Sequence, residues 1–254
     1  MDLAKFIDLV ATKRLWFPCV KEYEATDPWE GQLPKKHYAN AEQVLDSQLT
    51  GFLPDAEMRA AIVKHKVQHF EKLHIAVRQS TYVNCWHHND YESAAMWSQY
   101  ATKEGIAIKS SVDRLKRCFV PETRRIRISE IRYMDFDTEE SDFNRTYLQK
   151  RKSFISENEL RSFYTEADLF SKYLIEQTPN DVRTRVLKDA NSQKIYALPY
   201  KRGLSIRIDP ETLIEEVLVS PTANRYVLSA VEFILDKCGL KGRERKSPLN
   251  DGPK

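Results

Sequence analysis

The sequence predicts an α+β fold: a single domain in which a mixed, mainly antiparallel sheet is flanked by helices. Three observations carry that expectation. Segments of helical period and of strand period follow one another irregularly, without the strand–helix alternation that builds a parallel α/β sheet. Hydrophobic residues make up 41% of the 254 positions, enough for a sizeable core. No internal repeat or Gly/Pro-rich linker interrupts the chain, so residues 1–254 read as one domain. Within it, 1–79 is largely helical, 80–240 holds the sheet, and the charged stretch 241–254 is a tail expected to fray.

The elements follow from local pattern. Asp2 can cap a short helix with Leu3, Phe6, Ile7 and Val10 on its apolar face, and Leu15-Trp16-Phe17 reads as a strand. Asn40 with Gln43 resembles a capping box opening a helix that Gly51 closes. Asp55 opens a longer helix through Met58, Ile62, His65, His69, Leu73 and Val77. Tyr82–Trp86 is rich in β-branched and aromatic residues and reads as a strand. Asn89 and Glu92 then suit the start of a helix that Gly105 ends, before a second strand, Ile106–Ile108, and a short helix over Val112–Phe119. Between Arg124 and Tyr133, arginine alternates with isoleucine, which puts Arg125 and Arg127 on the sheet face opposite the isoleucines. Leu160, Phe163 and Tyr164 suggest a strand, and Asp168, Leu169, Phe170, Tyr173 and Leu174 a helix. Residues 178–194 are polar and read as a mobile insertion, with strands at 195–199 and 203–208. Asp209-Pro210 opens one helical turn, 215–220 forms a strand, and Tyr226, Val227, Ala230, Val231, Ile234 and Leu235 mark a closing amphipathic helix before Gly239.

Composition removes several classes of function. Four cysteines, Cys19, Cys85, Cys118 and Cys238, are far apart and form no Cys-x-x-Cys pair, against a disulfide framework or a zinc finger. His65 and His69 have ligand spacing but no accompanying Glu, so they read as helix surface and no metal is expected. No signal peptide is visible and no apolar run is long enough to span a bilayer, so a cytoplasmic setting without membrane contact is expected. A Walker loop, a Gly-x-Ser-x-Gly elbow and a dinucleotide glycine motif are all missing. The net charge of +3 neither demands nor excludes nucleic acid, because a local patch can outweigh the total.

Three motifs carry a resemblance. They follow one another along the chain: the loop Asp27-Pro28-Trp29-Glu30-Gly31, then Cys85-Trp86-His87 with Glu92-Ser93-Ala94-Ala95-Met96-Trp97, then Lys150-Arg151-Lys152-Ser153-Phe154 with Glu157-Asn158-Glu159-Leu160-Arg161. Together they resemble a widespread prokaryotic family catalogued only as a domain of unknown function. Separately, Glu216-Val217-Leu218-Val219-Ser220-Pro221 looks like the catalytic-glutamate strand of ADP-ribosyltransferases. That likeness implies NAD as substrate, transfer to a macromolecular acceptor, and a toxin or phage-defence setting with an antitoxin or other partner protein. It implies Glu216 as catalyst, and Glu159 is the rival carboxylate because it lies in a motif of the first family. Asp27, Glu30, Trp86, His87, His88, Glu92, Ser110 and Arg151 would line the substrate site. The sequence departs from the pattern in lacking a Ser-Thr-Ser turn and a Glu-x-Glu or Gln-x-Glu before Val217.

The other expectation comes from charge. Arg125 and Arg127, with Lys150 and Lys152, suit phosphate, and the abundant Tyr and Trp suit base stacking. They suggest a nucleic-acid-binding or protein-interaction module without catalysis.

Overall fold

A computed structural model describes residues 1–101, 104–119, 121–122, 124–166 and 200–252. The helix expected around 168–174, the polar segment 178–194 and the strand 195–199 lie outside the described residues. From the N-terminus the elements are α1 (Leu3–Thr12), β1 (Arg14–Pro18), α2 (Lys35–Thr50), α3 (Ala56–Ser80) and β2 (Thr81–His87). Next come α4 (Ala94–Tyr100), β3 (Ile106–Lys109), α5 (Val112–Arg117), β4 (Arg127–Glu130), β5 (Arg132–Met134), β6 (Gln149–Arg151) and β7 (Glu159–Thr165). The described chain closes with β8 (Gly203–Arg207), α6 (Pro210–Leu213), β9 (Glu216–Val219), α7 (Arg225–Lys237) and β10 (Glu244–Lys246).

The fold is α+β, as expected. Its strands gather in several small sheets of two or three rather than in one. They belong to two compact units, each discontinuous in sequence. The first comprises Met1–Phe17, Trp86–Ile128 and Ser205–Lys254; the second comprises Pro18–Cys85 and Ser129–Leu204.

In the first unit, β9 is the middle strand of a sheet with β3 antiparallel on one side and β10 parallel on the other. Val217 and Val219 are fully buried, and Ile106 of β3 stands opposite Val219. Helix α7 is capped by Asn224, whose side chain accepts the N–H groups of Tyr226 and Val227. It buries Val227, Val231 and Leu235, spaced four apart along one face. Tyr226, expected on that face, points away and is 68% exposed. The region after Lys241 is no frayed tail, because Glu244–Lys246 pairs with Val217–Val219. Charge concealed this strand: Glu244-Arg245-Lys246 has no apolar alternation, being held at an edge by its backbone and ion pairs.

In the second unit, α2 and α3 form a hairpin, and β7 is the middle strand between β2 and β4, of which Thr81–Cys85 and Ser129–Glu130 belong to this unit. Val20, Val83, Ile131, Tyr147, Leu148 and Phe163 make its core, with Tyr23, Val77 and Tyr133 packed against them. Asp55 caps α3 through the Met58 N–H at 3.1 Å. Helix α2 begins at Lys35 directly after Pro34, not at the Asn40–Gln43 box. Proline already fixes an entry angle suited to a helix, and Tyr38 in the extra turn packs edge-on against Phe70 at 6.5 Å.

Candidate functional site

Strand periodicity puts residues two apart on one face, so Glu159 and Arg161 of β7 meet. Arg161 is 1% exposed, and its guanidinium grips Glu159 through Nε and through Nη2 at 3.1 Å. Its Nη1 donates to Glu30 at 2.6 Å and to the Tyr147 carbonyl at 2.7 Å. Lys150 Nζ pairs closely with Glu157, lies 3.4 Å from Glu159 and 3.9 Å from Glu30. Tyr133 Oη accepts the Glu159 N–H at 2.8 Å. Alongside, Arg151 donates to Asp27 at 2.7 Å, and the same oxygen accepts the Trp29 N–H at 3.1 Å. Trp29 stacks on Phe136 with centroids 5.6 Å apart. Gly31 closes this loop at φ +65, where a Cβ would stand 2.6 Å from Val20 Cγ1, so a larger residue would be both strained and crowded.

The Asp-Pro-Trp-Glu-Gly loop and the Lys-Arg and Glu-Leu-Arg segments therefore converge, within the second unit, on one buried ion network. Burial alone would raise the Glu159 pKa, but Arg161 and Lys150 outweigh it and hold the carboxyl at about 2. Burial likewise opposes the charge on Lys150, which Glu159, Glu157 and Glu30 more than restore. Lys150, expected to face phosphate, is thus enclosed among carboxylates. Lys152 is exposed but pairs with Glu139 at 2.7 Å. Asp27 and Glu30 are buried and lie inside this network rather than on an open rim. Cys85 joins from β2, 3.6 Å from the Tyr23 hydroxyl. Although its residue surface is exposed, close packing around the sulfur pushes the thiol pKa up to about 12, with Glu159 adding to the rise.

The remaining sequence-derived residues belong to the first unit. Trp86 and His87 end β2 half-buried, and His88 is exposed. His87 Nε2 lies 3.4 Å from the Asn89 amide. Ser93, not Asn89, caps α4 through the Met96 N–H at 3.3 Å. Glu92 is free of the cap because it accepts the Trp97 indole N–H at 3.0 Å and the Ser247 hydroxyl. Glu216 opens β9 opposite Lys109, which puts it one residue from the Ser110 position at the end of β3. Its carboxylate is closely paired with Arg245, whose guanidinium also lies 3.9 Å from Glu92. Ser110 donates to the Leu213 carbonyl at 2.6 Å. Glu216 and Glu159 thus stand in different units, each already engaged by cations.

A hollow of about 420 Å³ in the first unit is lined by Lys116, Phe119, Arg124, Arg125, Ile126 and Ile128. The alternation read from the sequence positions these groups: Arg125 and Arg127 are exposed, while Ile126 and Ile128 are half-buried between them. Strand β4 itself starts only at Arg127, so Arg125 stands on the extended chain before it. Arg124 pairs with Glu122 at 2.9 Å. Phe119 is held below by edge-on packing against Phe17 at 6.0 Å. The sequence reading missed Lys116 and Phe119, which come from α5 and the turn after it. The detectable signal was the spacing of Lys116 and Phe119, three apart within the helix expected over 112–119, which the structure ends at Arg117.

No group of His, Cys, Asp and Glu among the described residues could hold a metal ion, and no described helix is long and apolar enough to cross a membrane. Comparison of the chain with protein-family models, with curated proteins and with solved structures gives no match.

Proposed function

We propose that the protein binds single-stranded nucleic acid at the basic hollow of its first unit. The observation that carries this reading is the lining: Lys116, Arg124 and Arg125 around an apolar floor of Phe119, Ile126 and Ile128. Cations at the rim suit phosphate, and an apolar concavity suits an unstacked base or sugar. A duplex keeps its bases stacked and paired, so it has no unstacked base face to place in such a recess. The test is fluorescence anisotropy of a labelled single-stranded oligonucleotide titrated with wild-type protein and with a Lys116→Glu/Arg125→Glu variant. Binding by wild type and a loss of at least tenfold in the variant support the reading. Equal affinity of the two proteins, or tighter binding of duplex than of single strand, overturns it.

A second reading, ADP-ribosyl transfer from NAD to a macromolecular acceptor, is favoured by one specific observation. The pairing of β3 with β9 puts the Ser110 end of one strand beside Glu216 of the other, and both are residues that the resemblance implied. In that reading the Arg245 pair opens as substrate enters, and the Glu216 carboxylate stabilises the developing oxocarbenium charge. Incubation with NAD would release nicotinamide from wild type and not from Glu216→Gln. Absence of release from wild type in the presence of oligonucleotide and protein acceptors removes this reading and leaves the binding reading intact.

A further inference from the structure

Two guanidinium groups in the first unit share one pair of acceptors. Arg114 of α5 donates through Nη2 to the Glu211 carbonyl at 3.1 Å and to the Ile214 carbonyl at 2.9 Å. Arg243, just before β10, donates through Nη1 to the same Glu211 carbonyl at 2.8 Å and to the same Ile214 carbonyl. Two full positive charges therefore stand side by side. Carbonyl oxygens at the end of α6 accept their N–H groups but bring no full negative charge.

The neighbouring carboxylates are committed elsewhere. Asp113 pairs with Arg117 at 2.8 Å, Glu215 with Lys109 at 3.0 Å, and Glu216 with Arg245. Glu244 accepts the Gly242 N–H at 3.1 Å. The Glu211 side chain is exposed and makes no ion pair among the described residues. A second observation points the same way: Arg114 Nε is buried from solvent without a hydrogen-bond partner among the described residues. A buried charged donor left unmade is costly, and like charges in contact repel. Both costs fall when an anion with several acceptor oxygens joins them. Arg114 and Arg243 are half-buried, so part of each remains reachable from solvent.

We infer that Arg114 and Arg243 form an anion site for a phosphate or pyrophosphate group. Forked guanidinium donors match tetrahedral phosphate oxygens bidentately. The group could be free or the terminal phosphate of a nucleic acid, and the assay separates the two. Neither arginine lines the hollow at Lys116 and Arg125, so this site shares no residue with it.

The experiment titrates full-length protein with inorganic phosphate, with pyrophosphate, and with single-stranded oligonucleotides carrying a 5′-phosphate or a 5′-hydroxyl. Calorimetry and the thermal midpoint report binding. Pyrophosphate is expected to bind wild type and raise its thermal midpoint. Arg243→Gln should weaken it at least tenfold, Arg243→Lys should fall between, and Glu211→Gln should leave it equal or tighter. A preference for the 5′-phosphorylated strand that vanishes in Arg243→Gln assigns the site to a nucleic-acid end; equal affinity for both strands assigns it to a free phosphate ligand. Lys116→Glu/Arg125→Glu, which leaves both arginines in place, should weaken pyrophosphate less than Arg243→Gln does, so failure of the oligonucleotide reading is distinguishable from failure here. Lack of phosphate or pyrophosphate binding by wild type, which needs no variant to fold, overturns the inference. So does unchanged affinity in Arg243→Gln.

Discussion

Arg161 holds Glu30 and Glu159 where almost no water reaches them, so its removal strands two buried carboxylates. Arg161→Met should cost about 3–5 kcal/mol in urea denaturation. Neutralising both partners together, Glu30→Gln with Glu159→Gln, should recover part of that loss in the same background; no recovery would mean that Arg161 acts through shape alone. His74 is buried, lies 3.0 Å from the Thr146 hydroxyl, and is held neutral because burial lowers its pKa to about 4. The unfolded chain takes up that proton near pH 6.5 and the folded chain only near pH 4. Its contribution is therefore intact above pH 6.5 and is lost as pH falls towards 4, amounting to about 2 kcal/mol by pH 5. The stability difference between wild type and His74→Gln should move against wild type by that amount between pH 7 and pH 5, and a constant difference would contradict the assignment. Cys85 and Cys238 are both exposed, but only a thiolate alkylates quickly. With the Cys85 thiol raised to about 12, iodoacetamide at pH 8 should label Cys238 first, as read by peptide mass spectrometry; equal rates would show that the network does not reach Cys85.

Among the elements, those governed by local chemistry were legible in the sequence. Asp2 and Asp55 cap helices where their spacing placed them, and the residue 227/231/235 period marked the buried face of α7. Long-range pairing was not legible. The Glu30–Arg161 pair joins residues 131 positions apart, and although the two-residue spacing puts Arg161 beside Glu159, nothing local indicates that the two are buried together instead of facing a substrate. The same holds for Glu216, whose partner Arg245 lies in a segment with no apolar pattern. Because β10 supplies one edge of the β9 sheet, with the Val217 N–H bonded to the Arg243 carbonyl at 2.7 Å, a chain ending at Gly242 should lose that protection. Hydrogen exchange at the Val217 amide should accelerate at least tenfold. Unchanged exchange would mean that β9 is held by β3 alone.

Across the whole molecule, a net charge of +3 predicts little general attraction to polyanions. Any nucleic-acid affinity must therefore come from local charge. The buried network uses up Lys150 and Arg161, and Glu139 occupies Lys152. The expected basic surface consequently shrinks to Arg125 and Arg127, to which the structure adds Lys116, while Arg124 is paired with Glu122. Each phosphate neutralised by one of these cations contributes about −0.7 to the slope of log affinity against log salt for a single strand.

That slope is the most direct measurement of the account. Oligonucleotide affinity should be followed across a salt series for wild type and for Lys116→Glu/Arg125→Glu, with binding of the variant measured at low salt. Engagement of Lys116, Arg125 and Arg127 predicts a wild-type slope of about −2, and a variant slope shallower by about 1.4. A wild-type affinity independent of salt, or two slopes that coincide, would contradict the claim that the strand lies in this hollow.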